Sequence, residues 1–210
     1  MFKRTLISLT SAAFLAIAAS SASFADEATD ANDAAIQQAF EALDAQLPGK
    51  LINNPYDIQW RTDGSDKKDS IVKSEGAPGG MAYQVRVKKT KKNPWDTATR
   101  IEMTESIAKG DVILLSYWAR ASKPQKGKEN GDISVNLQRN IDPYDTIFEE
   151  RVALGTEWKL HYATGTAKRD YAADKTNLNF NLARAKQTIQ FGQFYIMNLG
   201  PNGDASKYMK

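Results

Sequence analysis

Residues 112–119, VILLSYWA, are almost continuously apolar and are bounded on the N-terminal side by the turn residues Lys109, Gly110 and Asp111. A second strand-like run precedes that turn, in which Thr97, Thr99, Ile101 and Met103 alternate with polar neighbours. An apolar run of this length between turn signals suits a central strand with side chains on both of its faces, as in a sandwich. The stretch 93–122 is therefore where the core is expected.

From residue 51 onward the chain reads as all-β. Short runs are bounded by Gly, Pro, Asn and Asp clusters, and no second convincing helix follows the one near the N-terminus. Ile133, Val135 and Leu137 alternate with Ser134, Asn136 and Gln138, and Leu178, Phe180 and Leu182 alternate with Asn177, Asn179 and Asn181. A last apolar run, 189–199, closes the domain. Nothing supplies the crossover helices of a parallel α/β fold, so the fold class is an antiparallel two-sheet sandwich. Residues 26–50 differ in character: Asp26, Glu27, Asp30, Asp33, Glu41 and Asp44 are acidic, while Ile36, Phe40, Leu43 and Leu47 recur at helical spacing before Pro48-Gly49. This predicts a short amphipathic helix, over 34–47, whose apolar stripe docks on its own domain.

Because a strand sends alternate side chains to opposite faces, the apolar run splits into two sets. Ile113, Leu115, Tyr117 and Ala119 form one, and Leu114, Ser116, Trp118 and Arg120 the other. The second set ends in an indole that can stack and a guanidinium that can donate. Asn136 with Gln138, and Asn179 with Asn181, offer paired donors and acceptors to a hydroxyl-rich ligand without the cost of burying a charge. Arg100 and Glu102 join them by the same parity, if the strands adjoin. Trp95, after Asn93-Pro94, and Tyr144, in Asp142-Pro143-Tyr144-Asp145, are loop aromatics at the rim. Trp60 and Trp158 are assigned core roles, and His161 an exposed strand position.

Several short motifs, taken in order, resemble one family. They are Gly79-Gly80-Met81-Ala82-Tyr83-Gln84-Val85, Asn93-Pro94-Trp95-Asp96, Gly110-Asp111 through Trp118-Ala119-Arg120-Ala121, Thr156-Glu157-Trp158-Lys159, Leu178-Asn179-Phe180 and Gln187-Thr188-Ile189. The chain is thereby similar, over about residues 51–200, to the cellulase- and xylanase-associated carbohydrate-binding modules of families four and nine. That resemblance implies a galactose-binding-like jelly roll that holds polysaccharide or oligosaccharide and performs no chemistry. It also implies a structural calcium site near the chain ends. Asp57 matches the first carboxylate, but Gly192-Gln193 stands where the family has aspartates, so no cofactor is expected.

The first 25 residues read as a secretory signal peptide: Lys3 and Arg4, then an apolar segment over 6–19, then Ser23-Phe24-Ala25. The division that follows is 26–50 for the acidic helical extension, 51–203 for the sandwich and 204–210 for a tail. Without Lys3 and Arg4 the formal charge falls from +3 to +1, too little to expect nucleic-acid binding. The cluster Lys88, Lys89, Lys91 and Lys92 reads as a solvated hairpin loop. No membrane span remains once the leader is gone, and the absence of cysteine leaves the core to hold the fold unaided. A single histidine, no Gly-x-Ser-x-Gly elbow and no phosphate loop argue against an enzyme. Glycosidase carboxylates would have to come from pairs such as Glu149-Glu150 or Glu102 with Glu105. The expected function is a secreted or periplasmic carbohydrate-binding protein. The alternative is an envelope sandwich for protein contact, with the acidic helix as its handle.

Overall fold

The computed structural model describes residues 27–55 and 60–209; the expected leader, residues 1–25, and Asp57 lie outside the described residues. One helix, α1 (Glu27–Asp44), is followed by β1 (Lys50–Leu51), β2 (Arg61–Gly64), β3 (Lys67–Lys73), β4 (Met81–Val87), β5 (Thr97–Glu102) and β6 (Val112–Lys123). Then come β7 (Gly131–Arg139), β8 (Thr146–Leu154), β9 (Lys159–Thr166), β10 (Thr176–Asn181) and β11 (Thr188–Asn198). They form two antiparallel sheets, as the alternating runs predict. The first has the order β3-β4-β11-β6-β9, with β1 also paired to β11; the second has the order β2-β5-β10-β7-β8.

The main core lies between the sheets and is built from the inward parity sets. Ile113, Leu115, Tyr117 and Ala119 of β6 meet Ile133, Val135 and Leu137 of β7 and Leu178 and Phe180 of β10 in one buried cluster. Trp60 takes its expected place there, with its ring 5.0 Å from Tyr83 and 5.5 Å from Phe191. In β11, Phe191 and Phe194 are both buried although three residues apart, which strict alternation forbids. The register slips between them, so the intervening Gly192 and Gln193 form a bulge that turns both rings inward. At the edge where the sheets close, Gly165 of β9 lies so near β8 that a Cβ there would sit 2.2 Å from the Ile147 carbonyl oxygen. The turn before β6 is fastened by Asp111, whose carboxylate accepts from the Ala108 N–H at 3.0 Å and from Asn198 Nδ2 at 2.6 Å.

The outward set of β6 does not stay open along its length. Leu114 joins Leu51, Met197 and Ala205 in a second buried cluster, against which Phe40, Leu43 and Leu47 pack. The stripe of the N-terminal helical segment thus docks on the outer face of the first sheet. Burial of that stripe, rather than intrinsic propensity, holds such a helix in place. Among the described residues no helix is long and apolar enough to cross a membrane.

Candidate functional site

The outer face of the second sheet is a polar array set by register. Asn179 pairs with Arg100 of β5 on one side and Asn136 of β7 on the other, and Asn136 pairs with Glu149 of β8. One row along, Asn177 lies between Glu102 and Gln138; in the other direction Asn181 lies between Ala98 and Ser134, with Arg151 beyond. Strand spacing and rise make this three-by-four array about 14 Å on each side. Its middle columns are sunk: Asn136, Asn179 and Asn181 are only 5%, 6% and 4% exposed, whereas Arg100, Glu102, Glu149 and Arg151 in the outer columns are exposed.

The amides are partly satisfied by one another. Asn179 Nδ2 donates to Asn136 Oδ1 at 2.9 Å, and Asn181 Nδ2 to Ser134 Oγ at 3.5 Å. Among the described residues this leaves Asn136 Nδ2 and Asn179 Oδ1 without a protein partner. A donor beside an acceptor matches two neighbouring hydroxyls, each of which both gives and takes a hydrogen bond. The cations of the outer columns are neutralised within the protein. Arg100 donates to Asp63 at 2.8 Å, and Arg151 grips Asp132 through two bonds of 2.9 and 2.6 Å. Glu102 and Glu149 have no ion pair among the described residues, and their carboxylates are acceptors, Glu102 at a corner of the array and Glu149 at the end of its middle row.

These carboxylates do not assemble a hydrolytic dyad. Glu102 and Glu149 stand on strands three spacings apart, about 14 Å at the backbone, whereas such dyads span roughly 5–9.5 Å. Glu150 points the opposite way from Glu149, towards Tyr117, and burial raises its pKa. Glu105 is held by Lys50 at 3.0 Å. Among the described residues no group of three or more His, Cys, Asp or Glu could hold a metal ion.

Six of the expected site residues therefore meet on one face: Arg100, Glu102, Asn136, Gln138, Asn179 and Asn181. Trp118 and Arg120 do not join them. β6 pairs with β11 and β9 in the first sheet, so their outward side is the far side of the sandwich. There Arg120 donates to Gln190 Oε1 at 2.7 Å and to Ser74 Oγ at 3.0 Å, with its guanidinium 5.0 Å from the Trp158 ring centre. This network fastens the β3–β4 loop to the sheet. Trp158 accordingly packs outside the core, contrary to its expected place. His161, expected to be exposed, is half-buried against Tyr117 with ring centres 5.3 Å apart, and burial followed by Lys159 lowers its pKa.

Among the described residues the two loop aromatics are the most exposed rings, Trp95 at 59% and Tyr144 at 56%. Trp95 sits in a 3₁₀ turn at the Thr97 end of β5, and Tyr144 in the β7–β8 loop at the opposite end of the strands. They bracket the array across its diagonal. Tyr144 has a φ of +57°, and the residue after it, Asp145, ties this loop to its neighbours. That carboxylate accepts from Tyr171 Oη at 3.0 Å and pairs with Arg169 at 3.1 Å and Arg139 at 3.3 Å. Burial works to raise its pKa, but the Tyr171 bond and the charges of Arg169 and Arg139 outweigh it and hold the group below its ordinary value. The stability it contributes is then present above the ordinary carboxylate pKa and lost as pH falls through the lower folded value. Asp145→Asn is expected to melt below the parent at pH 7, with the gap closing below about pH 4. Melting curves across that range check it; a gap that persists in acid would mean the contribution is not ionic.

Sequence reasoning missed Asn177, Ser134, Arg151 and the Asp63 that neutralises Arg100 as members of this face, and named Glu149 only as half of a hydrolytic pair. Asn177 and Ser134 share the parity of residues already singled out, so the same rule could have reached them. For β8, the alternation in TIFEERVAL was the available signal.

The family model described as Carbohydrate binding domain, CBM_4_9, matches residues 49–187. Among solved structures, the second N-terminal cellulose-binding domain of Cellulomonas fimi β-1,4-glucanase C is similar with a TM-score of 0.52 at 18% identity, covering 72% of this chain and 92% of that one. A chain described as "CBM4 structure and function" is similar with a TM-score of 0.50 at 17% identity, covering 66% and 94%. The CBM22-1–GH10 modules of a Clostridium thermocellum endo-1,4-β-D-xylanase complexed with xylohexaose are similar with a TM-score of 0.50 at 14% identity; 72% of this chain matches 28% of that one. No curated protein matches. At these identities the structural likenesses establish the fold.

Proposed function

The chain belongs to the carbohydrate-binding domain family CBM_4_9 and is a carbohydrate-binding protein, and we propose that it holds a polysaccharide or oligosaccharide on the amide array of its second sheet. The observation that carries this reading is the Asn136–Asn179 pair, sunk in the array with one donor and one acceptor left over. Neither atom is sealed in the interior without a partner, so both reach the surface of the array, where the hydroxyls of a ligand can take the place of water. Arg100, Glu102, Gln138 and Asn181 contribute further polar groups around that centre. Trp95 and Tyr144 supply apolar ring faces at either end, where sugar C–H groups can stack.

The protein acts without chemistry of its own, as a module that positions a glycan. Export of the chain is supported by the leader-like segment 1–25 and places the ligand outside the cytoplasm. The cellulose-binding and xylohexaose-bound neighbours make neutral β-1,4-linked chains the first ligands to try. Electrophoresis in native gels containing soluble β-1,4-xylan or a soluble cellulose derivative is expected to retard the protein in at least one. New reducing ends should not appear on incubation. Unchanged mobility in every neutral polysaccharide, or release of sugar, would sink the proposal.

A further inference from the structure

We infer that the chain has a second glycan contact, specific for acidic polysaccharide, in a cleft at one end of the sandwich. The cleft has a volume of about 740 Å³ and is formed by three segments: 86–90 leaving β4, 123–126 leaving β6, and 186–188 entering β11. Because β11 lies between β4 and β6, its start makes the floor and the two departing loops make the walls. Register fixes the row at its mouth, with Thr188 opposite Arg86 on one side and Lys123 on the other. Arg86 and Lys123 thus stand two strand spacings apart, about 10 Å.

Six cations line this cleft, namely Arg86, Lys88, Lys89, Lys123, Lys126 and Lys186, and no acidic side chain does. Lys89 pairs with Asp66 at 3.3 Å, an aspartate it shares with Lys91; the other five have no ion pair among the described residues. All six are exposed. This sets the cleft apart from the amide array, where each arginine is matched by an aspartate. The sequence makes Lys88 and Lys89 look like a solvated loop, but folding brings them beside cations from two distant segments. In a chain whose formal charge is only +3, this is a concentration of positive potential in which Lys89 alone is met by an acidic side chain among the described residues.

The chemistry of the lining selects the ligand. No aromatic side chain lines the cleft, so unpaired bases would find no platform, which disfavours single-stranded nucleic acid. Five of the six cations are lysines. Lysine binds as a hydrated point charge and tolerates many approach angles, whereas a single anionic group held in one orientation, carboxylate or phosphate, is best met by the planar fork of arginine. A flexible ring of point charges suits a polymer with repeated carboxylates, and Thr90, Gln125 and Thr188 in the same lining offer partners for its hydroxyls. The inference relies on the family for the class of polymer and is independent of the amide array.

The test is titration of polygalacturonate against the full chain and against Lys88→Glu/Lys123→Glu/Lys186→Glu, at about 50 and about 200 mM salt. The parent is expected to bind at the lower salt. If about three charges are neutralised, affinity falls roughly twenty-fold between the two salts, by the counterion release of a single-stranded polyanion. The triple variant should lose at least tenfold and yet keep the parent's retardation by neutral polysaccharide. Should it not fold, Lys186→Ala replaces it, with an expected loss of roughly threefold. The Asn136→Ala/Asn179→Ala protein should keep polygalacturonate binding, whatever it does with neutral glycans. Parental polygalacturonate affinity in a folded cleft variant, no binding by the parent, or equal affinity for a double-stranded DNA fragment would overturn the inference. None of these outcomes bears on the amide array.

Discussion

With both Asn136 and Asn179 replaced by alanine, affinity for neutral polysaccharide should fall by about two orders of magnitude while the protein stays folded. A neutral hydrogen bond contributes about 0.5–1.5 kcal/mol net, and the pair has three or four such bonds to offer a ligand. At about 1 kcal/mol each their sum is roughly 3–4 kcal/mol, which corresponds to a loss of about a hundred- to a thousand-fold. The double replacement is the informative one. Their mutual bond of 2.9 Å joins one side chain to the other, so removing Asn179 alone strands the buried oxygen of Asn136 and mixes a folding cost into the result. Removing both leaves no orphan and costs about 1 kcal/mol of stability. Affinity by calorimetry and melting of the same sample check the two halves. A folded double variant that binds as tightly as the parent would move the site off the amides and leave Trp95 and Tyr144, or the far face around Trp118, as candidates.

The placement of Trp118 marks where reading the sequence stops being sufficient. Parity correctly sorted the side chains of β6 into a core set and an outward set, because alternation is local. Which sheet a strand belongs to is not local. β6 and β7 are consecutive in the chain, yet one lies beside β11 and β9 and the other beside β10 and β8. The outward side of β6 is therefore the opposite surface of the sandwich from the outward side of β7. Asn136, Asn179 and Arg100 were legible as one face because β5, β7 and β10 happen to be neighbours, a fact of pairing that spacing alone does not carry. The same limit hid the basic cleft: its cations come from segments up to a hundred residues apart.

Other features left a local trace. Two phenylalanines three apart in Phe191-Gly192-Gln193-Phe194 cannot both face inward from a regular strand, so the sequence itself calls for the bulge that the structure has. At the bulge there is little room for a side chain: a Cβ at Gly192 would lie 3.1 Å from the Cβ of Trp118. His161 and Trp158 went astray for the opposite reason. His161 stands between Leu160 and Tyr162, and Trp158 between Glu157 and Lys159, but the surroundings of each are supplied by Tyr117 and Arg120 from another strand.

β10 offers the sharpest separation of folding from binding, because it sends Phe180 inward and Asn179 and Asn181 outward. Phe180 is fully buried, with its ring centre 4.6 Å from that of Phe191, 5.1 Å from Tyr117 and 6.5 Å from Trp60. Phe180→Ala removes a ring on which three others pack, and replacements of that kind cost about 3–5 kcal/mol. In a domain of this size each kcal/mol lowers the melting temperature by roughly 2–4 °C, so a fall of about 6–20 °C is expected in a thermal scan. Polysaccharide affinity of the fraction that remains folded should change little, since the amides keep their register with β5 and β7 through backbone pairing that the ring does not make. Asn136 and Asn179 together are expected to do the reverse. If Phe180→Ala instead weakened binding beyond what the unfolded population explains, the array would have to be held in shape by the core beneath it, and the two faces of the strand could no longer be treated as independent.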